Sequence, residues 1–198
     1  MSTEDTIRDI AKIVNGRTVA VIAYGQSLKL LDENIEDFEG FDLCWCSVNS
    51  VQGANLILER IGSQVDIVTS YASELKKKWM NSYQVKMAEP KGGSMQTFLH
   101  QLCLAGIKRI AIFGFNGYSV KGTPHHRLAF KNHRGITERH KEDTKLFNET
   151  FQCPEGIEII NCSPETKITA IRSVDYECCL DTLALWEQTD SSKEFQAF

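Results

Sequence analysis

Apolar positions in this chain follow two alternating patterns, one with helical spacing and one in short unbroken runs. Ile7, Ile10, Ala11 and Val14 sit at i, i+3, i+4 and i+7, which predicts a short helix over 2–13 with Ser2 or Thr3 as its cap. Thr18-Val19-Ala20-Val21-Ile22-Ala23 is a continuous run of strand length, the pattern of a strand buried on both faces. It ends in Tyr24-Gly25-Gln26-Ser27, a turn into a short helix from Leu28. A second strand is expected at 42–48, then a helix with Leu56, Ile57 and Ile61 on one side, ended by Gly62. Val65 to Ser70 reads as a third strand. Residues 71–80 read as a helix whose lysines, Lys76, Lys77 and Lys78, suit its C-terminus, and a weak strand is expected at 83–87.

Gly92-Gly93-Ser94 opens the clearest helix, with Phe98, Leu102 and Ala105 on one face and Gly106 as its stop. Arg109 to Gly114 is another buried strand. Residues 115–137 have no period, which marks a long loop, functional or else disordered; as a functional loop it is expected to be a lid. A polar helix over 138–151, a strand over 157–161, a turn at Cys162-Ser163-Pro164 and a helix over 175–186 complete the order, with a frayed tail over 190–198. Strands alternating with helices predict an α/β fold: a single Rossmann-like domain over 1–189, with a mostly parallel sheet and helices on both faces.

Composition narrows the classes. The chain has 198 residues, 42% of them hydrophobic and 24% charged, with a formal net charge of -4. An acidic balance argues against a nucleic-acid partner. No apolar run reaches membrane-spanning length, and the polar start, MSTEDTIRDI, is unlike a secretory signal; both predict a cytoplasmic protein. Seven cysteines, with no pair at zinc-site spacing, read as reduced core thiols. Cys44 and Cys46 alternate along a strand and so share a face. A homo-oligomer stays open, although no exposed apolar stripe in the sequence argues for one.

In a parallel sheet, ligands sit beyond the carboxyl ends of the strands. The residues to suspect are therefore 24–27, 49–50, 70–71, 92–94, 114–118 and 161–163. Three groups stand out. Gly25-Gln26-Ser27 follows the first strand, where free helix N–H groups favour a phosphate or carboxylate; the alternative is a plain serine cap. Lys91-Gly92-Gly93-Ser94 opens a helix and suits an anion or ribose, or else is a tight connection. His125, His126, His133 and His140 fall within sixteen residues, interleaved with Arg127, Lys131, Arg134, Arg139 and Lys141. Such a segment suits a phosphate-bearing ligand, with a histidine as general base. Its alternatives are a solvated loop, or a metal cluster if the histidines share one helix. His100, in mid-helix, reads as a structural histidine. No G-x-S-x-G elbow occurs, so a serine hydrolase is not indicated.

Four stretches, taken together over about 17–172, resemble glycosyltransferase family 42, the bacterial lipooligosaccharide sialyltransferases. They also resemble the related motility accessory factors and pterin-diphosphokinase-like proteins. The stretches are Val19 to Leu28, Phe41 to Asn49, Gly92 to Asn116, and Ile157 to Pro164. The resemblance implies a nucleotide held at Gly25, Gln26, Ser27, Asn49, Gly92, Gly93, Ser94 and Asn116. A basic loop carrying Arg127 and Arg134 would close over the phosphate. It implies His140 as general base, Tyr118 assisting the departing phosphate, and no metal or other cofactor. The partners would be a nucleotide-sugar donor of the CMP-sialic-acid type and a glycan or small-molecule acceptor. A diphosphokinase-like transferase and a non-catalytic nucleotide- or sugar-binding module are the alternatives. Tyr24, Gln26 and Asn116 depart from the family pattern, Asn116 standing where it has aspartate, and Ser47 competes with Asn49 for the second-strand position.

Overall fold

The computed structural model describes residues 3–48, 51–70, 82–86, 93–117 and 138–194. Seven strands form one sheet: β1 (Thr18–Ile22), β2 (Leu43–Val48), β3 (Ile67–Ser70), β4 (Tyr83–Lys86), β5 (Arg109–Phe113), β6 (Glu158–Asn161) and β7 (Arg172–Ser173). Their order is β4-β3-β2-β1-β5-β6-β7, and every pairing is parallel. The helices are α1 (Thr3–Val14), α2 (Leu28–Glu33), α3 (Val51–Leu58), α4 (Gly93–Leu104), α5 (Glu138–Thr150) and α6 (Tyr176–Glu194). This is an α/β, Rossmann-like fold. The chain winds outward from β1 through β2, β3 and β4, then returns to the other side of β1 with β5, so the topological switch lies between β1 and β5.

The strand residues alternate between two cores although nearly all are buried, because successive side chains point to opposite faces. Val19, Val21, Cys44, Cys46, Ile110 and Ile112 pack with Ile10 and Val14 of α1, Phe98 and Leu102 of α4 and Phe147 of α5. Ala20, Ile22, Trp45, Ala111 and Phe113 pack with Leu28 and Leu31 of α2, Ile57 and Leu58 of α3 and Leu183 and Trp186 of α6. Helices thus cover both faces. Phe38 anchors the second core, its ring 5.4 Å from Phe113 and 6.0 Å from both Trp45 and Tyr176.

Several expectations change. Thr3 is the first residue of α1 rather than its cap. Leu56 does not join Ile57 on the buried side of α3 but is 51% exposed; Val51, Ala54, Ile57 and Leu58 make the buried face. The reason is that α3 tightens into a 3-10 turn over Glu59–Ile61 before Gly62, so the spacing taken through Ile61 did not follow one α-helical face. His100, on α4, is exposed and packs its ring edge-on to Phe151. The last helix continues through 190–194 to Glu194, past the expected start of fraying. β7 was unexpected; two residues carry no periodicity to read. The proposed helix at 71–80 lies outside the described residues, as do 118–137 of the predicted lid.

The cysteines also divide. Cys44 and Cys46 share a face as expected. Cys162 and Cys179, however, form a disulfide that ties the end of β6 to α6, which corrects the reading of seven reduced thiols. Sequence separation gave no hint of it: the two meet because α6 crosses back over β6. The expected result of thiol titration on the denatured, unreduced protein is five free thiols, Cys44, Cys46, Cys103, Cys153 and Cys178. Finding all seven cysteines free would show the pair reduced.

At the far edge, Tyr83 of β4 donates its hydroxyl to Asp9 Oδ2 of α1 at 2.8 Å. Burial, and then the bond to the Asp9 carboxylate, push this phenol from 10.0 up to about 12. A group raised on folding stabilises below its unfolded pKa and loses that contribution as pH rises through the folded one. Tyr83→Phe is therefore expected to flatten the decline of Tm between about pH 10 and about pH 12. An unchanged decline would mean that Tyr83 ionises equally easily folded and unfolded.

Candidate functional site

The parallel strands bring their carboxyl ends together where β1 and β5 diverge. Pairing continues past the formal strand ends: Ala23 N donates to Phe113 O at 2.8 Å and Gly25 N to Gly114 O at 2.7 Å. This close approach needs both glycines. A Cβ on Gly25 would overlap Asn116 Oδ1 and the Gly114 carbonyl oxygen; one on Gly114, at φ 75°, would overlap the Ala23 carbonyl oxygen. Gly25 therefore acts here by leaving room for a neighbouring side chain, in place of the ligand approach expected of it.

Into that room Asn116 places its carboxamide. Its Oδ1 accepts from Ser27 N at 3.0 Å and from Ser27 Oγ at 2.8 Å. Ser27 Oγ also lies 2.7 Å from Ser163 Oγ, which accepts from Phe115 N at 3.2 Å. A serine has one hydroxyl proton and an amide oxygen has none. The Ser27 hydroxyl therefore donates to only one of the two, Asn116 Oδ1 or Ser163 Oγ, at a time. The first turn, the end of β5 and the end of β6 are thus joined by one polar chain. Ser163 is fully buried and Asn116 is 8% exposed.

Both sequence readings of Ser27 need correction. It makes no side-chain cap for α2. Nor is its N–H open to an anion, since Asn116 occupies it. The network, rather than a helix N-terminus, is what the residues at 25–27 build. Gln26 is exposed on the turn. Tyr24 places its hydroxyl 3.1 Å from Ser47 Oγ, bridging the ends of β1 and β2, so Ser47 faces this region from β2. Asn49, Gly92, Tyr118, Arg127 and Arg134 lie outside the described residues, as do His125, His126 and His133.

Behind Asn116, Phe115 O is held by Asn161 Nδ2 at 2.9 Å and Thr166 Oγ1 at 2.8 Å, and Asn116 O accepts from Lys167 N at 2.8 Å. The loop after β6 thereby clamps the loop after β5. Asn161 is buried, and its Oδ1 has no hydrogen-bond partner. The stretch 161–163 was suspect from its place after a strand; its internal roles became visible only in three dimensions.

Helix α5 reaches the same end of the sheet. A Cβ on Gly117 would stand 2.9 Å from Thr144 Cγ2, and one on Gly93 would stand 4.0 Å from Asp143 Oδ2. The second turn of α5 therefore lies between the loop after β5 and the first turn of α4, which carries Ser94. His140 is one turn before the buried Thr144 on the same helix face, and is half-buried. Of the predicted site residues, Gly25, Ser27, Asn116, Gly93 and Ser94 thus lie with His140 at the carboxyl end of the sheet. Thr144 and Asp143 were missed, because a polar helix gives no sign of which polar residue faces inward.

A cavity of about 230 Å³ lies at the opposite end, lined by Ala11, Val14, Arg17, Lys108 and Arg109. Its Arg17 is already engaged with the carbonyls of Ile13, Val14 and Leu43 and with Asp66, so the polar residues at the carboxyl end, where parallel sheets receive their ligands, are the better candidate. Among the described residues, no helix is long and apolar enough to cross a membrane.

The fold is that of a Rossmann-like α/β protein, and a hydrogen-bond network of serines and asparagine stands at its topological switch. Compared with known proteins, the chain matches no family model and no curated sequence.

Proposed function

We propose that the protein is a glycosyltransferase-like enzyme that takes a nucleotide-activated sugar, of the CMP-sialic-acid type, and works without a metal. The observation that carries the reading is the convergence of Ser27, Asn116 and Ser163 at the switch point with α5, and hence His140, beside the first turn of α4. Switch-point crevices of parallel sheets are where such folds hold nucleotides. The resemblance to family 42 supplies the chemistry.

In this mechanism Gln26, Asn49, Gly92, Gly93, Ser94 and Asn116 hold the nucleotide, Gly25 leaves room for the Asn116 carboxamide and Ser27 orients it, and Arg127 and Arg134 steady the phosphate. His140 takes the proton of the acceptor hydroxyl. The acceptor oxygen forms its bond to the anomeric carbon as the bond from that carbon to the phosphate oxygen breaks, its electron pair leaving with the phosphate. Tyr118 donates to that departing phosphate. Displacement of this kind needs base, oxygen and anomeric carbon nearly in line. The acceptor is a glycan or a small hydroxylated molecule. The proposal places the enzyme in the cytoplasm, a reading that the five free thiols suit and that the Cys162–Cys179 disulfide opposes. A nucleotide-binding module without catalysis is the second reading, favoured by Tyr24, whose hydroxyl bridges to Ser47 where the related enzymes carry a small residue or asparagine.

A thermal-shift screen with CMP, CDP, UDP, GDP and ATP, with and without magnesium, tests the proposal. A nucleotide at 100 times its Kd stabilises by about 2.7 kcal/mol. The expected result is a metal-independent shift with CMP. A shift only with ATP and magnesium would replace the proposal with a diphosphokinase-like one. No shift with any nucleotide would end it. Binding of a CMP-sugar without turnover over a panel of acceptors would favour the module.

A further inference from the structure

One disulfide stands in a molecule whose other cysteines are free: Cys44, Cys46, Cys103, Cys153 and Cys178 are unpaired, and Cys178 is the chain neighbour of the bonded Cys179. A disulfide among free thiols in a reducing compartment is characteristically transient and redox-sensing. Its place in the fold gives such a change a consequence. Cys162 directly follows β6, and Cys179 lies 17 residues on, in the first turn of α6. The segment enclosed between them holds the loop after β5. Ser163 Oγ accepts from Phe115 N at 3.2 Å, Thr166 Oγ1 donates to Phe115 O at 2.8 Å, and Lys167 N donates to Asn116 O at 2.8 Å. A Cβ on Gly117 would stand 3.2 Å from Ile168 Cδ1. Three consecutive residues, Phe115 to Gly117, are thus gripped by a segment whose two ends are joined by the Cys162–Cys179 bond. Closing a loop in this way restricts the conformations open to it.

We propose that Cys162 and Cys179 form a reversible thiol switch: as a disulfide they hold the loop after β6 on the loop after β5, and reduction by a thiol reductant loosens that hold. The inference does not depend on what the switch-point residues bind. Both sulfurs are buried, Cys162 at 3% and Cys179 at 0% exposure. Cys162 is fixed in the sheet by its N–H to Ile112 O at 2.8 Å, whereas Cys179 sits on a helix end beside the exposed Cys178. Helix ends open locally more readily than a central sheet, so the reductant enters at Cys179. Its thiolate bonds to Cys179 Sγ as the bond between the two cysteines breaks, and the electron pair leaves on Cys162 Sγ, which takes up a proton. A second reductant thiol displaces Cys179 from the mixed disulfide, and Cys179 takes up the second proton. The pair gains two electrons and two protons, and the reductant leaves as a disulfide. Cys178 stays a bystander: the Asp175 carboxylate, by hydrogen bond and by charge, holds its thiol above the ordinary pKa and keeps it protonated.

The test uses the native, full chain. It is equilibrated with mixtures of reduced and oxidised glutathione, free thiols are alkylated, and the states of Cys162 and Cys179 are read by peptide mass. The expected result is a change from disulfide to two thiols within the range of mixtures between a reducing and an oxidising compartment, with the fold kept. Amide exchange is then compared in the two states. Phe115 and Lys167 are expected to exchange about ten-fold faster or more after reduction. The Tyr83 amide, bonded to Asp66 O at 2.7 Å on the far edge of the sheet, is expected to keep its rate. A pair that stays oxidised until the protein is denatured is a structural cross-link and overturns the proposal. So does a pair already reduced in the most oxidising mixture, or a reduced form that unfolds. Exchange at Phe115 and Lys167 that is unchanged, or accelerated no more than at Tyr83, overturns it as well.

Discussion

Gly114→Ala is expected to lower the free energy of unfolding by about 2–5 kcal/mol, a large part of a domain's stability. Two costs combine. The backbone at φ 75° is left-handed, which costs an L-residue about 1–2 kcal/mol. The added Cβ would also overlap the Ala23 carbonyl oxygen and stand 3.0 Å from Leu28 Cβ. Neither can rotate aside: the first is backbone in the central strand connection, the second a fully buried side chain. Overpacking of this kind costs about 1–3 kcal/mol. Gly40→Ala is the control, at φ 94° with nothing within 4 Å of the new Cβ. It carries only the conformational cost, about 1–2 kcal/mol. Urea denaturation of both variants measures the difference. Equal losses would mean that β1 and β5 do not approach as closely beyond their ends as described here.

His140→Ala is expected to cut turnover by about a thousand-fold while leaving nucleotide affinity within about 1 kcal/mol. The reason is positional. Thr144 seats α5 against Gly117, and Asp143 faces Gly93, so the first turn of the helix stands at the carboxyl end of the sheet beside the proposed nucleotide. A general base acts on the acceptor hydroxyl in the transition state and contributes little to holding the donor. The comparison is kcat/KM for sugar transfer against Kd for CMP in the same variant. Parallel loss of both would remove His140 from the chemistry and make it a binding residue. Thr144→Val, which removes the hydroxyl and keeps the shape, is a companion: it tests whether α5 is seated by packing alone.

The strands were the most legible part of the chain. Runs such as Thr18 to Ala23 and Arg109 to Phe113 are apolar throughout because each strand is covered on both faces, and that continuity is a local property. Helices with a one-sided apolar face, α1 and α4, were equally plain. α3 was misjudged at Leu56, since its last residues tighten into another kind of helical turn whose spacing differs. The two residues of β7 have no period at all; they join the sheet because Val174 N reaches Asn161 O at 3.0 Å.

The sequence by itself determined the α/β class, the parallel sheet and the strand ends on which the polar residues would gather. Those follow from the order of apolar runs and from Gly and Ser at their ends, information carried by neighbours in the chain. Only the tertiary structure decided that Asn116 lies over Gly25, that Ser27 is bonded 89 and 136 residues away to Asn116 and Ser163, and that Cys162 meets Cys179. A hydrogen bond or a disulfide depends on distance and direction between atoms. For residues so far apart along the chain, those are set by the pairing of β1 with β5 and of β5 with β6, and no local pattern encodes them.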